Sequence, residues 1–152
     1  MSNSNFLDFL PSNFRHEKVF LIENNLLDFD KLSKLSDLEI FNIQKKAPLC
    51  TLNNLKKIRA IAIFKKEIAI SPPEAYLLLH SGIGSIESLS RMEPHEIENK
   101  IKRLQRNLRV KSKTNITLSL IKDWTKRAKQ SLKLVKPWKK NFYNVEFEKS
   151  KK

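Results

Sequence analysis

The sequence predicts an all-α protein in which one small helical unit occurs twice in tandem. Three observations lead there. Among 152 residues there are only 2 Gly and 6 Pro, while Leu, Ile, Lys, Glu and Ser dominate, an alphabet that favours helices over turn-rich sheets. Apolar residues recur at intervals of three and four, the spacing that shares one helix face. Sliding the chain against itself by 57 positions then places Val19, Phe20, Ile22, Leu26, Phe29, Leu32, Leu35 and Ile40 on Tyr76, Leu77, Leu79, Ile83, Ile86, Leu89, Met92 and Ile97. Each pair is apolar, so the match lies in core-type positions. After nine extra residues the offset becomes 66, and Thr51, Leu52, Leu55, Ile58 and Ala62 fall on Thr117, Leu118, Ile121, Trp124 and Ala128.

Start and stop signals fix the elements. Asn13 is expected to cap a helix running to about Asn24, and Asp28 a short one with Phe29, Leu32 and Leu35. Ser36-Asp37-Leu38-Glu39 has the form of a capping box, and Pro48 closes that third helix. Thr51 opens a helix to about Glu67, whose stripe of Leu52, Leu55, Ile58, Ala62 and the Lys65 stem should face the core. The second copy begins at Ser71-Pro72-Pro73-Glu74, with a cap, proline in the first turn and a carboxylate three residues on. Its first helix should end near Ser81, Gly82 and Gly84 should bracket Ile83 in a tight turn, and Ser85 should cap a short helix to Arg91. Pro94 opens a longer helix bearing Ile97, Ile101, Leu104 and Leu108. Thr117 or Asn115 caps the last long helix, which should finish before Pro137. The organisation expected is an arm over 1–14, a first unit over 15–70, a second over 71–136 and a tail over 137–152.

Charge is distributed unevenly. The net charge is +14, and a chain with 23 Lys, 14 Ile and 13 Asn could owe its lysines to codon bias alone. Residues 1–98, however, hold 12 Lys and Arg against 13 Asp and Glu, whereas residues 99–140 hold 15 against 1. Drift in composition does not segregate charge in this way. A field concentrated on one segment is the footprint of polyanion binding. Lys122, Lys126, Lys129, Lys133, Lys136 and Lys140 recur at four- and three-residue steps, and Lys102, Arg103, Arg106 and Arg109 form a second cluster on the preceding helix. Like charges so placed cost an isolated helix about 0.2–0.5 kcal/mol per pair, a cost that an anionic partner relieves.

Tyr76-Leu77-Leu78-Leu79-His80-Ser81-Gly82-Ile83, a short helix, a basic helix ending Leu104-Gln105-Arg106, and Ile121-Lys122-Asp123-Trp124-Thr125-Lys126-Arg127-Ala128 together resemble the domain-of-unknown-function family 4332. Leu55-Lys56-Lys57-Ile58-Arg59-Ala60-Ile61-Ala62 resembles that family's linking helix, so the likeness spans roughly residues 17 to 134. It implies two tandem helix-hairpin-helix-like (SAM-domain-like) units packed together, and no particular activity. The first copy departs from the pattern, with Asn24-Asn25-Leu26 in place of a small residue, Gly and Ile.

In helix-hairpin-helix proteins an apolar-Gly-apolar-Gly turn exposes backbone amides to a DNA phosphate. Gly82 and Gly84 therefore join the candidate nucleic-acid-binding residues, although Ser81 and Glu87 depart from that motif and a purely structural turn is the leading alternative. Trp138 and Phe142, interleaved with lysines, are expected to clasp the helical body. The alternatives for this tail are stacking on single-stranded bases or lying at a lipid headgroup boundary.

Chemistry of other kinds finds little support. His16, His80 and His95 lack metal-ligand spacing, and no phosphate-binding glycine loop is present. His80 falls on a position of the resembled family, and is expected to be a partly buried hinge residue. Neither catalysis nor a cofactor is expected. Cys50 alone cannot form an internal disulfide, Met1 to Asn5 carry no basic n-region so a signal peptide is not expected, and the longest apolar run, Ile58 to Phe64, is interrupted by Arg59. Membrane insertion is not expected, and a cytoplasmic setting fits best. The function expected is a non-catalytic helical module that binds DNA or RNA with weak sequence selectivity through the basic second unit. The alternatives are an adaptor docking an acidic protein and, ranked last, a peripheral binder of anionic membranes.

Overall fold

A computed structural model describes residues 10–108 and 116–133, with the backbone alone at 107 and 108. Their regular structure is entirely helical. A 3-10 turn, Ser12–Phe14, leads into α1 (Arg15–Glu23), α2 (Phe29–Ser33), α3 (Asp37–Lys46), α4 (Leu52–Ile68), α5 (Pro72–His80), α6 (Ile86–Arg91) and α7 (Pro94–Leu108), and α8 covers 118–133. The duplication is visible in the backbone. α1, α2 and α3 begin 57 residues before α5, α6 and α7, and α4 begins 66 before α8.

Local chemistry explains most of the boundaries. Asp28 accepts a hydrogen bond from the Asp30 amide at 2.9 Å, and Ser36 with Glu39 makes the reciprocal capping box. Thr51 accepts from the Asn54 amide, Ser85 from Ser88 and Thr117 from Leu120, so Thr117 is the cap of α8. Two caps differ from the sequence expectation. Asn13 lies within the 3-10 turn, and α1 starts at Arg15 without a side-chain cap; the Asn13 carbonyl instead accepts from the Asn54 side chain at 3.0 Å. Ser71 donates to the Glu74 carboxylate at 2.7 Å and caps no amide. The following prolines have no N–H, and Pro73 at the second helical position removes one of the two amides a cap side chain would serve.

The turn after α5 is a Schellman motif. Ile83 N–H donates to the Leu78 carbonyl at 2.9 Å and Gly82 N–H to Leu79 at 3.0 Å, with Gly82 at φ +91° in the left-handed region that glycine tolerates. The first copy builds the same turn without glycine: Leu26 N–H donates to Leu21 at 2.9 Å, Asn25 N–H to Ile22 at 3.3 Å, and Asn25 takes φ +55°. Asparagine is the other residue that enters this region readily, so the sequence departure leaves the backbone path unchanged.

One continuous core joins the two halves. Phe14, Leu21 and Leu32 pack in the same cluster as Leu78, Ile83, Leu89, Ile97, Ile101, Ile121 and Trp124, through Ile58, Ile61 and Phe64 of α4. A smaller cluster of Ile40, Ile43, Cys50 and Leu55 lies in the first half. The stripe of α4 is broader than its expected one: Ile61, Phe64 and Ile68 are buried beside Leu55, Ile58 and Ala62, about half the helix circumference at ~100° per residue. Leu52 and Lys65 are exposed: Leu52 lies about 60° outside the buried arc at ~100° per residue, and Lys65 keeps its ammonium in water. Val19 and Ile22 are also corrected, being 54% and 56% exposed. Their counterparts Tyr76 and Leu79 pack against the main core, with the Tyr76 ring edge-on to Phe14 at 6.3 Å. No equivalent of Phe14 covers that flank of α1 among the described residues.

The start of α4 is held by a buried acid. Glu17 is 1% exposed; it accepts from Thr51 N–H at 2.8 Å and from the Asn54 side chain at 3.4 Å. A carboxylate at a helix N-terminus gains from both the hydrogen bonds and the dipole. Replacing Glu17 by Ala removes the acceptor of the Thr51 amide and one of the two acceptors of the Asn54 side chain, and should destabilise the fold by about 1–3 kcal/mol in urea unfolding, with Glu17→Gln milder. Ala69 ends α4 at φ +56°, and its side chain is exposed. Ala69→Gly should stabilise the protein by about 0.5–1 kcal/mol, whereas Gly82→Ala should destabilise it by more than about 1 kcal/mol in the same assay.

Candidate nucleic-acid interface

The inner faces of α7 and α8 determine where their cations stand. On α7, Ile97 and Ile101 are fully buried and fix the inward direction. At ~100° per residue, Lys102, Arg103 and Arg106 then fall on the opposite arc, and all three are exposed. Lys102 meets Glu98 at 3.4 Å, a pair exposed enough on the lysine side to be worth little. Arg103 and Arg106 have no ion-pair partner among the described residues.

On α8, Ile121, Trp124, Thr125 and Ala128 face the core. Lys122, Lys126, Lys129 and Lys133 follow one flank within about 60° of arc, all exposed and all without an ion pair among the described residues. Asp123 lies on the other flank, bound to Arg127 at 2.6 Å. Arg127 also donates to the Ile68 carbonyl at 3.2 Å and to that of Ala69 at 3.4 Å, so this cation tethers α8 to the end of α4. The one acid of the basic segment is thereby spent on a structural contact and leaves the lysine flank unneutralised. Arg109, Lys136, Lys140 and the aromatic tail, including Trp138 and Phe142, lie outside the described residues.

Gly82 and Gly84 sit apart from these stripes, in the α5–α6 turn. The Gly82 and Ile83 amides are both occupied inside the Schellman motif. At Gly84 a methyl group would meet Leu79 at an ordinary 3.7 Å. Ser85, Ile86 and Glu87 continue from this turn into a groove against α4 and α8 that also contains Glu67. Sequence spacing gave no sign of that groove, because its two carboxylates are 20 residues apart and meet only through helix packing.

Other titratable groups have structural surroundings. The Cys50 thiol is 2% exposed and donates to the His16 carbonyl at 3.6 Å; burial, with the Glu17 charge second, pushes its pKa up. His80 is an exposed residue at the end of α5, not the partly buried one expected. Its ring lies 4.2 Å from that of Tyr76. Desolvation of the ring, with the Lys57 charge second, holds its pKa below the usual value. The fold therefore favours neutral His80. Stability from this residue should be full above pH ~6.5 and decline below it as the unfolded chain protonates first. A urea midpoint followed from pH 7.5 to 5 should show this decline, and His80→Gln should reduce it.

No helix among the described residues is long and apolar enough to cross a membrane. Together, the duplicated helical order and the exposed cationic flanks define a small all-α protein with one strongly basic half. Residues 11–131 match the family model described as Domain of unknown function (DUF4332), and the chain belongs to that family. No curated protein and no solved structure matches it.

Proposed function

We propose that the chain is a non-catalytic binding module, two helix-hairpin-helix-like units acting in the cytoplasm, whose second half holds nucleic acid through the phosphate backbone with little sequence selectivity. The observation carrying this reading is the unpaired lysine flank of α8. Four ammonium groups at successive turns repel one another, and a polyanion lying along them both removes the repulsion and releases its own counterions. Lys102, Arg103 and Arg106 of α7 extend the positive field, and arginine forks suit phosphate oxygens. The Gly82–Gly84 turn is secondary here, since two of its amides are already bonded and Glu87 lies close by.

A second reading, a protein adaptor, draws on the first half. Leu38 and Phe41 of α3 are 68% and 42% exposed, and at the corresponding positions of α7 the chain has His95 and Glu98. The duplicated copy thus shows that the fold does not require apolar residues there.

Titration of labelled duplex DNA and RNA across 50–200 mM salt tests the first reading. Four lysine contacts predict a slope of log affinity against log salt near −3 to −4 on duplex DNA, at about −0.9 per phosphate. Charge reversal at Lys122, Lys126, Lys129 and Lys133 should flatten it. A flat profile for the unmodified protein, or no binding at low salt, overturns the reading. A partner that survives nuclease treatment, and is lost in Leu38→Ser/Phe41→Ser, supports the adaptor.

A further inference from the structure

The two halves differ sharply at one equivalent place. In the first half, Asp30 at the start of α2 is neutralised by Lys66 of α4 and by Lys34 at 3.2 Å. Its counterpart in the second half is Glu87 at the start of α6, and the counterpart of Lys66 is Leu132 of α8. Lys65 is likewise replaced by Ser131. Lys34 keeps a cationic counterpart in Arg91, which makes no ion pair with Glu87 among the described residues. With Leu132 in place of Lys66, a groove of about 380 Å³ lies between α4, α6 and α8, with Ile63, Phe64, Ile86 and Leu132 among its walls and Glu67 and Glu87 in its lining. Neither carboxylate has an ion-pair partner among the described residues. Two unpaired acids sharing one apolar groove are conspicuous in a chain of net charge +14.

We propose that this groove receives the chain's own segment Lys136–Phe142, with Trp138 on the apolar wall and the lysines beside it facing Glu67 and Glu87. Three features select this occupant. Leu132 lines the groove, and Trp138 follows six residues later, a reach of up to about 20 Å at 3.3–3.6 Å per residue. The stretch of α4 that lines the groove, Ala60 to Glu67, is only about 10 Å long at 1.5 Å per residue, so every point of it is accessible. Lys136, Lys139 and Lys140 flank the indole and supply the positive charge that the equivalent site in the first half obtains from Lys66. The inference makes no use of the nucleic-acid reading.

The test uses the full-length protein without nucleic acid. Amide NMR spectra of the unmodified chain and Trp138→Ala should differ at Ile63, Glu67 and Gly84 to Glu87. Leu132→Lys, which restores the first half's cation, and Glu67→Lys/Glu87→Lys, which reverses the groove's charge, should each shift Trp138 emission to the red. The constant signal of buried Trp124 is subtracted with Trp138→Phe. Unchanged Trp138 emission in both variants, or NMR changes confined to surfaces away from the groove, overturns the proposal.

Discussion

The rest of the molecule depends on the burial of α4. This helix presents about half its circumference to apolar neighbours, so Leu55 serves the small first-half cluster while Ile61 and Phe64 belong to the core shared with α5 to α8. A 17-residue helix buried so broadly cannot shift or rotate without opening both halves. Its start is held by Glu17, a carboxylate from α1 that bonds the α4 N-cap amide, and its end by Arg127 reaching back from α8 to the last carbonyls. The Glu17 tether lies within the first copy, whereas Arg127 ties the second copy to the first.

The duplication provides an internal reference for separating structure from function. Where the two copies agree, as in the Schellman turns at Asn25 and Gly82 or the caps at Thr51 and Thr117, the shared feature is what the fold needs. Where they differ, the fold is indifferent and other demands are visible. Ile61 and Phe64 of α4 correspond to Arg127 and Gln130 of α8; the two apolar residues lie in the core shared by both halves, whereas Gln130 is exposed. The exposed surface of α8 holds the lysine flank. The same comparison singles out Leu38 and Phe41 on one side and the groove beside Leu132 on the other.

Much of this was legible from the chain, and the reason differs by feature. Helix starts depend on residues two or three apart, so Asp28, Ser36, Thr51, Ser85 and Thr117 announce their caps locally. The duplication was legible because it is written in apolar spacing. Asn13 and Ser71 misled for local reasons, one lying inside a 3-10 turn and the other followed by two prolines. Val19 and Ile22 misled for a different one: matching apolar positions implies matching burial only if each copy has the same neighbour, and α1 lacks the covering that Phe14 and α4 give α5. The lysine flank of α8 could be read from periodicity, but its lack of neutralising acids could not, since Asp123 had first to be placed on the opposite flank.

The sequence by itself determined the helical class, the two copies, nearly every helix start and the segregation of positive charge into the second half, because each of these is a property of spacing within one stretch of chain. Only the tertiary structure decided which apolar positions are covered, that Glu17 and Arg127 tether α4, and that Glu67 and Glu87 line one groove with no ion-pair partner among the described residues. Those outcomes depend on which helix lies against which, and that is set by packing complementarity between residues dozens of positions apart.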